Sequence, residues 1–271
     1  MKLLQYDEIR GLGDKMTGLK SDIETGAPLF GCWIELYSAF ATEVVVQAGY
    51  DFLLVDLEHG PGSVMDAALQ LQVAAGSGCH GICRVPKNDD SWIKRVLDVG
   101  FDGVMIPAVD SVEDARRAVA SCRYPPAGKR GMAAAIVRAA RYGRDCWDYV
   151  EAANRDVVVI CQIESAQAVE AVEEIARVEG VDMLFVGPAD LSSDMGYVGE
   201  VDHPEVMKAI TRVEQAAKAA GKLLGAIPTP GRSTQELREA GYDIIVPGAD
   251  TILLRDAADA QVASLKSGTS S

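Results

Sequence analysis

The 271-residue sequence predicts one α/β domain folded as a (β/α)8 TIM barrel, and three observations carry that prediction. Eight short apolar, β-branched runs recur at a spacing of roughly 25–30 residues, the step of a strand–helix unit in a barrel. Between them lie longer stretches with apolar residues three and four apart, the period of a helix packed on one face. One punctuation device recurs four times, at Gly49-Tyr50-Asp51, Gly100-Phe101-Asp102, Gly180-Val181-Asp182 and Gly241-Tyr242-Asp243. In each, a glycine supplies a left-handed helix end and the next residues open a strand.

Taken in order, residues 1–25 read as a polar lead-in whose charges interrupt any apolar stretch, so no secretory signal is expected. The first expected strand is Leu29–Leu36. No G-x-G-x-x-G phosphate turn follows it, which ranks a barrel above a doubly wound open sheet. Phe52–Leu57 comes next, its continuous apolar run implying that both sheet faces are covered, and the helix Val64–Ala75 follows. Gly81–Val85 and Gly103–Pro107 are strands three and four, followed by a helix over Ser111–Ser121. The rhythm then breaks: 49 residues separate Pro107 from Val157, and residues 123–147 read as a long loop that serves either as a lid or as a contact to another subunit. Val157–Glu164 and the helix Ala166–Val178 restore the alternation. Met183–Gly187, the helix Pro204–Ala220, Leu223–Ile227, the helix Thr234–Ala240 and Ile244–Pro247 complete eight strands. Residues 266–271 read as a flexible tail, and no domain boundary is visible within 1–271.

Composition removes several function classes. Against 40 acidic residues stand 26 basic ones, a net charge of −14 that repels phosphate backbones and anionic lipid, so neither nucleic acid nor membrane is an expected partner. No run approaches the roughly 20 apolar residues needed to span a bilayer. The six cysteines are isolated, as in a reducing cytoplasm. Cys79-His80-x-x-Cys83 has the look of a metal clip but lacks a second half with ligand spacing, and His80 and His203 read as structural.

In such a barrel the chemistry collects where strands run out into the following loops. Strand two ends in Asp56-Leu57-Glu58-His59-Gly60, strand three in Arg84, strand five in Gln162-Ile163-Glu164 and strand six in Gly187-Pro188-Ala189-Asp190. Glu164 and Asp190 end neighbouring strands. Either they cap the helices that follow or they share a hard divalent cation, Mg²⁺ or Mn²⁺ first, with Co²⁺ or Zn²⁺ as further candidates. The Gly-Pro-Ala turn before Asp190 exposes backbone N–H groups suited to an anion. His59 has Asp56 and Glu58 as acidic neighbours; it is either an acid–base group or a hydrogen-bonded loop histidine. Arg84 either pairs with a structural carboxylate or faces a bound anion. No lysine ends a strand, which argues against imine chemistry. A cation that polarises a carbonyl beside a proton-moving histidine suits carbon–carbon bond cleavage next to a 2-keto acid.

These residues also carry a resemblance. From about Gly26 to Ala263 the chain resembles the HpcH/HpaI aldolase family of metal-dependent class II pyruvate aldolases. It does so at Asp56-x-Glu58-His59-Gly60, Arg84-x-Pro86, Leu97-Asp98-x-Gly100, Arg123-Tyr-Pro-Pro-x-Gly-x-Arg-Gly131, Gln162-x-Glu164 and Gly187-Pro-Ala-Asp-Leu-Ser192 with Met195-Gly196. The resemblance implies Glu164 and Asp190 as metal ligands, with backbone near Ala189 and Asp190 on the keto-acid carboxylate and Gln162 lining the site. It implies Arg84 on the enolate oxygen, and His59 moving the proton, aided by Asp56 and by Asp98 of a neighbouring subunit. It further implies retro-aldol cleavage of a 4-hydroxy-2-keto acid to pyruvate, or a close analogue such as hydroxypyruvate, and an aldehyde. The fold would assemble as a homohexamer whose last helix, about Asp250–Leu265, packs on a neighbour. Decarboxylation of oxaloacetate through the same enolate, as in macrophomate synthase-like relatives, is the alternative; a non-catalytic barrel is a remoter one. Met132 and its neighbours, the loop 226–232 with Arg232, and Trp33 with Glu35 depart from the family pattern, and they are expected to line the aldehyde side.

Overall fold

The computed structural model describes residues 18–267. Eight parallel strands close into a barrel in chain order: β1 (Leu29–Ile34), β2 (Phe52–Asp56), β3 (His80–Arg84), β4 (Gly103–Ile106), β5 (Val158–Ile163), β6 (Met183–Val186), β7 (Leu223–Ala226) and β8 (Ile244–Ala249), which bonds back to β1. All eight lie where the apolar runs put them, within one or two residues at either end.

The two-residue period of a strand sorts side chains between two cores. Phe52, Leu54, Ile82, Met105, Val158, Ile160, Met183 and Phe185 fill the interior. Leu53, Val55, Cys83, Val104, Val159 and Leu184 face the surrounding helices. Extending the inward parity to the C-terminal ends of the strands reaches Asp56, Arg84, Gln162 and Gly187, and Glu164 is the next inward position after β5. Strand parity thus delivers the polar residues to one rim.

At the opposite end the barrel floor is closed by a short helix, Leu19–Ile23, whose Leu19 and Ile23 are buried in the interior cluster. The expected polar lead-in therefore gives way to structure by Leu19; residues 1–17 lie outside the described residues. His80 is the first residue of β3, one ahead of the expected start at Gly81, and its Nε2 bonds Asp22 of the floor helix at 2.8 Å.

The four Gly-x-Asp repeats form one device used four times. Gly49, Gly100, Gly180 and Gly241 all have positive φ. Each following aspartate accepts a backbone N–H of the strand before it: Asp51 from Phe30 (2.8 Å), Asp102 from Gly81 (2.9 Å), Asp182 from Val159 (2.9 Å) and Asp243 from Leu224 (2.7 Å). The ties join β1 to β2, β3 to β4, β5 to β6 and β7 to β8, so the barrel is four strand pairs, each pinned at its base.

Two expectations are corrected. The helix expected over Ala166–Val178 is two short ones, Ala166–Glu170 and Val172–Ala176, parted at Ala171 (φ −96°, ψ 3°). The stretch 123–147 leaves the end of the helix Val112–Cys122, so it lies at the base of the barrel. There Arg123 donates to the Val157 carbonyl and Asp182, both just ahead of strands. It is no lid within this chain, because the rim is at the other end; the subunit-contact alternative stands. The last helix, Asp250–Ser267, has only Asp250 buried. Among the described residues no helix is long and apolar enough to cross a membrane.

Candidate active site

Glu164 lies at the mouth of β5, one residue before Ser165, whose hydroxyl accepts Ala168 N–H and so caps the following helix. That leaves Glu164 free of capping duty. Its Oε1 accepts the Ala108 N–H at 2.7 Å, and its Oε2 meets the Gln162 side-chain amide. Ala108 reaches it from the end of β4 in a left-handed conformation, φ 49°. Burial, together with the charges of Glu58 and Asp190, raises the Glu164 pKa to about 7, while the Ala108 N–H and Arg84 act in the opposite direction. Asp190 lies in the first turn of the short helix Pro188–Asp194, which opens on Pro188 as its fixed φ favours. The first bond of that turn runs from Leu191 N–H to Gly187 O, so the N–H groups of Ala189 and Asp190 face outward without helical acceptors. Gly187 is needed for its lack of a side chain: a Cβ there would stand 2.8 Å from Glu164 Oε2 and 2.9 Å from Gln162 Nε2.

Arg84 carries the cation of the site. Its Nε and Nη2 donate to both oxygens of Asp56 at 2.8 and 2.7 Å, its Nη1 lies 3.0 Å from Glu58, and its guanidinium stacks 4.4 Å over the Trp33 ring. A bidentate fork between buried partners fixes the plane of the guanidinium. Arg84 therefore pairs with a structural carboxylate, the first of the two expected readings. Burial raises the Glu58 pKa, against the pull of Arg84 and His59.

Glu58, His59, Glu164 and Asp190 line one cavity of about 410 Å³, together with Asp110 and Asp194. The structure thus brings His59 and the two predicted metal ligands together. It does not bring Asp56 to His59, because both Asp56 oxygens are taken by Arg84 and one also accepts Glu58 N–H. Asp98 sits near the basal end of the helix Asp90–Val99, bonded to the buried Arg130 at 2.8 Å, away from the rim of its own chain. Trp33 supports Arg84 rather than the cavity wall. Glu35 accepts the Thr251 hydroxyl at the start of the last helix, and Arg232 is held by Glu214 and the Tyr242 ring; neither lines this cavity.

Sequence reasoning missed four contributors. Glu58 was visible only as a neighbour of His59, yet it is a partner of Arg84. Ala108 acts through its backbone, which no residue type announces. Asp110 and Asp194 are ordinary loop and helix aspartates until the fold places them on the cavity.

The donor set suits a divalent cation. The two expected ligands, Glu164 and Asp190, both offer carboxylate oxygen to one cavity, the Gln162 Oε1 is buried without a partner, and Gly187 keeps the space open. Among the described residues no group of three or more His, Cys, Asp or Glu side chains is placed to hold an ion. Further coordination would fall to substrate and water. The six cysteines are all free, and Cys79 and Cys83 are buried.

Comparison with known proteins concerns the chain as a whole. The chain is 40% identical over 244 residues to the 4-hydroxy-2-oxo-heptane-1,7-dioate aldolase of Shigella sonnei (strain Ss046), covering 90% of this chain and 93% of that protein. It is 37% identical over 249 residues to the 2-keto-3-deoxy-L-rhamnonate aldolase of Escherichia coli O1:K1 / APEC, covering 92% and 93%. Its fold matches the crystal structure of an HpcH/HpaI aldolase/citrate lyase family protein from Burkholderia cenocepacia J2315 with a TM-score of 0.85 at 39% identity, over 91% of this chain and 99% of that one. Residues 29–257 match the HpcH/HpaI aldolase/citrate lyase family along nearly the whole barrel, and the chain belongs to that family, as a carbon–carbon lyase.

Proposed function

We propose that this enzyme reversibly cleaves a 4-hydroxy-2-keto acid into pyruvate, or a close analogue, and an aldehyde. The observation that carries the reading is the convergence of Glu164, Asp190 and His59 on one cavity, with Arg84 locked beside it. Glu164 and Asp190 would hold Mg²⁺ or Mn²⁺. When bound, such an ion supplies a Lewis acid for the keto oxygen and charge stabilisation for an enolate.

The chain's own residues do the rest. The outward N–H groups of Ala189 and Asp190 hold the substrate carboxylate. The free N–H groups of Arg84 face the C2 oxygen, with Asp56, Glu58 and Trp33 fixing their direction. His59 takes the proton of the 4-hydroxyl as the C3–C4 bond breaks, and the bonding pair passes into the C2–C3 enolate. The aldehyde departs, and the proton returns to C3 to give the keto acid. Asp98 of a neighbouring copy is the natural partner for His59 in a homo-oligomer, a hexamer in our reading. The last helix, exposed along almost its whole length, supports such assembly. Six free cysteines support a cytoplasmic setting.

Incubating the protein with 4-hydroxy-2-keto acids, with and without a chelator, tests this. Pyruvate release should stop on chelation and return with Mg²⁺ or Mn²⁺. Glu164→Gln should lower kcat/KM by at least about 10²-fold and abolish Mn²⁺ binding followed by calorimetry. Turnover of oxaloacetate alone would favour the decarboxylase alternative. Undiminished cleavage in Glu164→Gln would refute the site. Two substrate classes remain within the reading. Cleavage of a 4-hydroxy-2-oxoheptane-1,7-dioate leaves a semialdehyde with its own carboxylate; cleavage of a 3-deoxy sugar acid leaves a neutral hydroxyaldehyde.

A further inference from the structure

Beyond the proposed metal ligands, and beyond His59 and Ala108, the cavity is lined by Glu58, Asp110 and Asp194 with Ser165 and Ser193. Asp110 accepts the Ser165 hydroxyl, and Asp194 accepts Ala166 N–H at 2.8 Å. Neither has a cationic partner among the described residues, and each retains an oxygen for a further donor. No lysine or arginine lines the cavity. The nearest cation, Arg84, is outnumbered by Asp56 and Glu58, which leaves one negative charge there. Asp110 and Asp194 add two more. Arg232, in the loop after β7, is committed to Glu214 and Tyr242.

We infer that the aldehyde side of this site selects an uncharged, hydroxyl-bearing aldehyde and rejects one that carries a carboxylate. The inference rests on the aldolase reading above and adds the substrate class to it. A distal carboxylate entering this open cavity meets the carboxylates of Asp110 and Asp194, which carry its own sign and have no cationic partner among the described residues, a repulsion that added salt screens. A hydroxyl in the same place donates to the open oxygens of Asp110 or Asp194 and is matched by the serine hydroxyls.

The test uses the intact protein loaded with Mg²⁺ or Mn²⁺, with pyruvate as donor and three acceptors: glycolaldehyde, lactaldehyde and succinic semialdehyde. The expected kcat/KM for the neutral aldehydes exceeds that for the semialdehyde by about tenfold or more at low ionic strength. The gap should narrow as salt rises toward 0.5 M, which selection by shape alone would not do. Asp110→Asn and Asp194→Asn, which keep an acceptor for Ser165 and Ala166, should each raise the semialdehyde-to-lactaldehyde ratio several-fold. A semialdehyde used as well as the neutral aldehydes, or a preference indifferent to salt, overturns the inference without any variant being needed. Deuterium exchange at C3 of pyruvate in D₂O, measured with no aldehyde present, separates the two levels. Exchange with the wrong preference removes only the substrate class; no exchange and no product with any acceptor removes the aldolase reading and this inference with it.

Discussion

Gly187 has no room for a methyl group, since a Cβ there would press on the Glu164 carboxylate and the Gln162 amide at 2.8 and 2.9 Å. Those are the groups whose exact placement the proposed chemistry needs, whereas the barrel interior below them is untouched. Gly187→Ala should therefore lower kcat/KM by about 10²-fold and weaken Mn²⁺ binding, because small displacements at a reacting centre are costly. A thermal melt should show a much smaller change, and full activity in this variant would contradict the site geometry. Arg84 is a second residue whose shape matters as much as its charge. Its two bonds to Asp56 at 2.8 and 2.7 Å require a planar fork, which lysine lacks. Arg84→Lys should lose nearly as much turnover as Arg84→Ala, measured as kcat for pyruvate release; recovery by lysine to near the native rate would show that only the charge counts.

The strand ends and the helix caps show how far sequence reaches at the scale of elements. Eight strands were legible because a parallel barrel buries both faces of each, and Phe-Leu-Leu-Val before Asp56 is a run that nothing else explains. Glu164, Asp190, His59 and Arg84 were legible as polar residues at the ends of such runs, an expensive place for them without a purpose. The break at Ala171 was not legible, because no glycine or proline marks it. Nor was the floor helix, where only Leu19 and Ile23 distinguish a buried plug from a polar leader. The base of the barrel also holds a titratable latch. Burial disfavours the charged form of His80, but Asp102 and Asp22 outweigh it and raise its pKa. A raised histidine pKa stabilises the fold fully below the unfolded value of about 6.5 and ceases to do so as pH climbs through the folded value. The stability difference between the native protein and His80→Asn, from urea unfolding, should thus be largest near about pH 6 and shrink toward alkaline pH. A difference that grew with pH would show that the latch is not charged. Leu19→Ala should cost about 2–4 kcal/mol in the same assay, since it empties a position that is 1% exposed.

For the whole molecule, the last helix and Asp98 pose one question. Asp250 is anchored, accepting Glu35 N–H at 3.0 Å and Leu36 N–H at 3.1 Å, yet beyond it Leu254 and Leu265 are 62% and 75% exposed. Phe40 and Val44, on the neighbouring helix Ala39–Gln47, add 83% and 71% exposure to the apolar surface. A helix left this bare accounts for its own sequence only when another copy covers it. Light scattering should find the native protein as a homo-oligomer, and Leu254→Glu with Leu265→Glu should shift it to smaller species. Assembly matters for chemistry because Asp98, bound to Arg130 near the base of its own barrel, can meet His59 only across a subunit boundary. Asp98→Asn and Glu164→Gln chains should each be weakly active alone. Unfolded together and reassembled at equal amounts, they should regain activity, because some sites then combine an intact Glu164 with an intact Asp98 from a different chain. Random mixing across a symmetric interface places that combination in about a quarter of sites. Recovery near that fraction would assign the two aspartate and glutamate functions to different subunits; none, in a reassembled oligomer of native size, would confine the site to one chain and remove Asp98 from it.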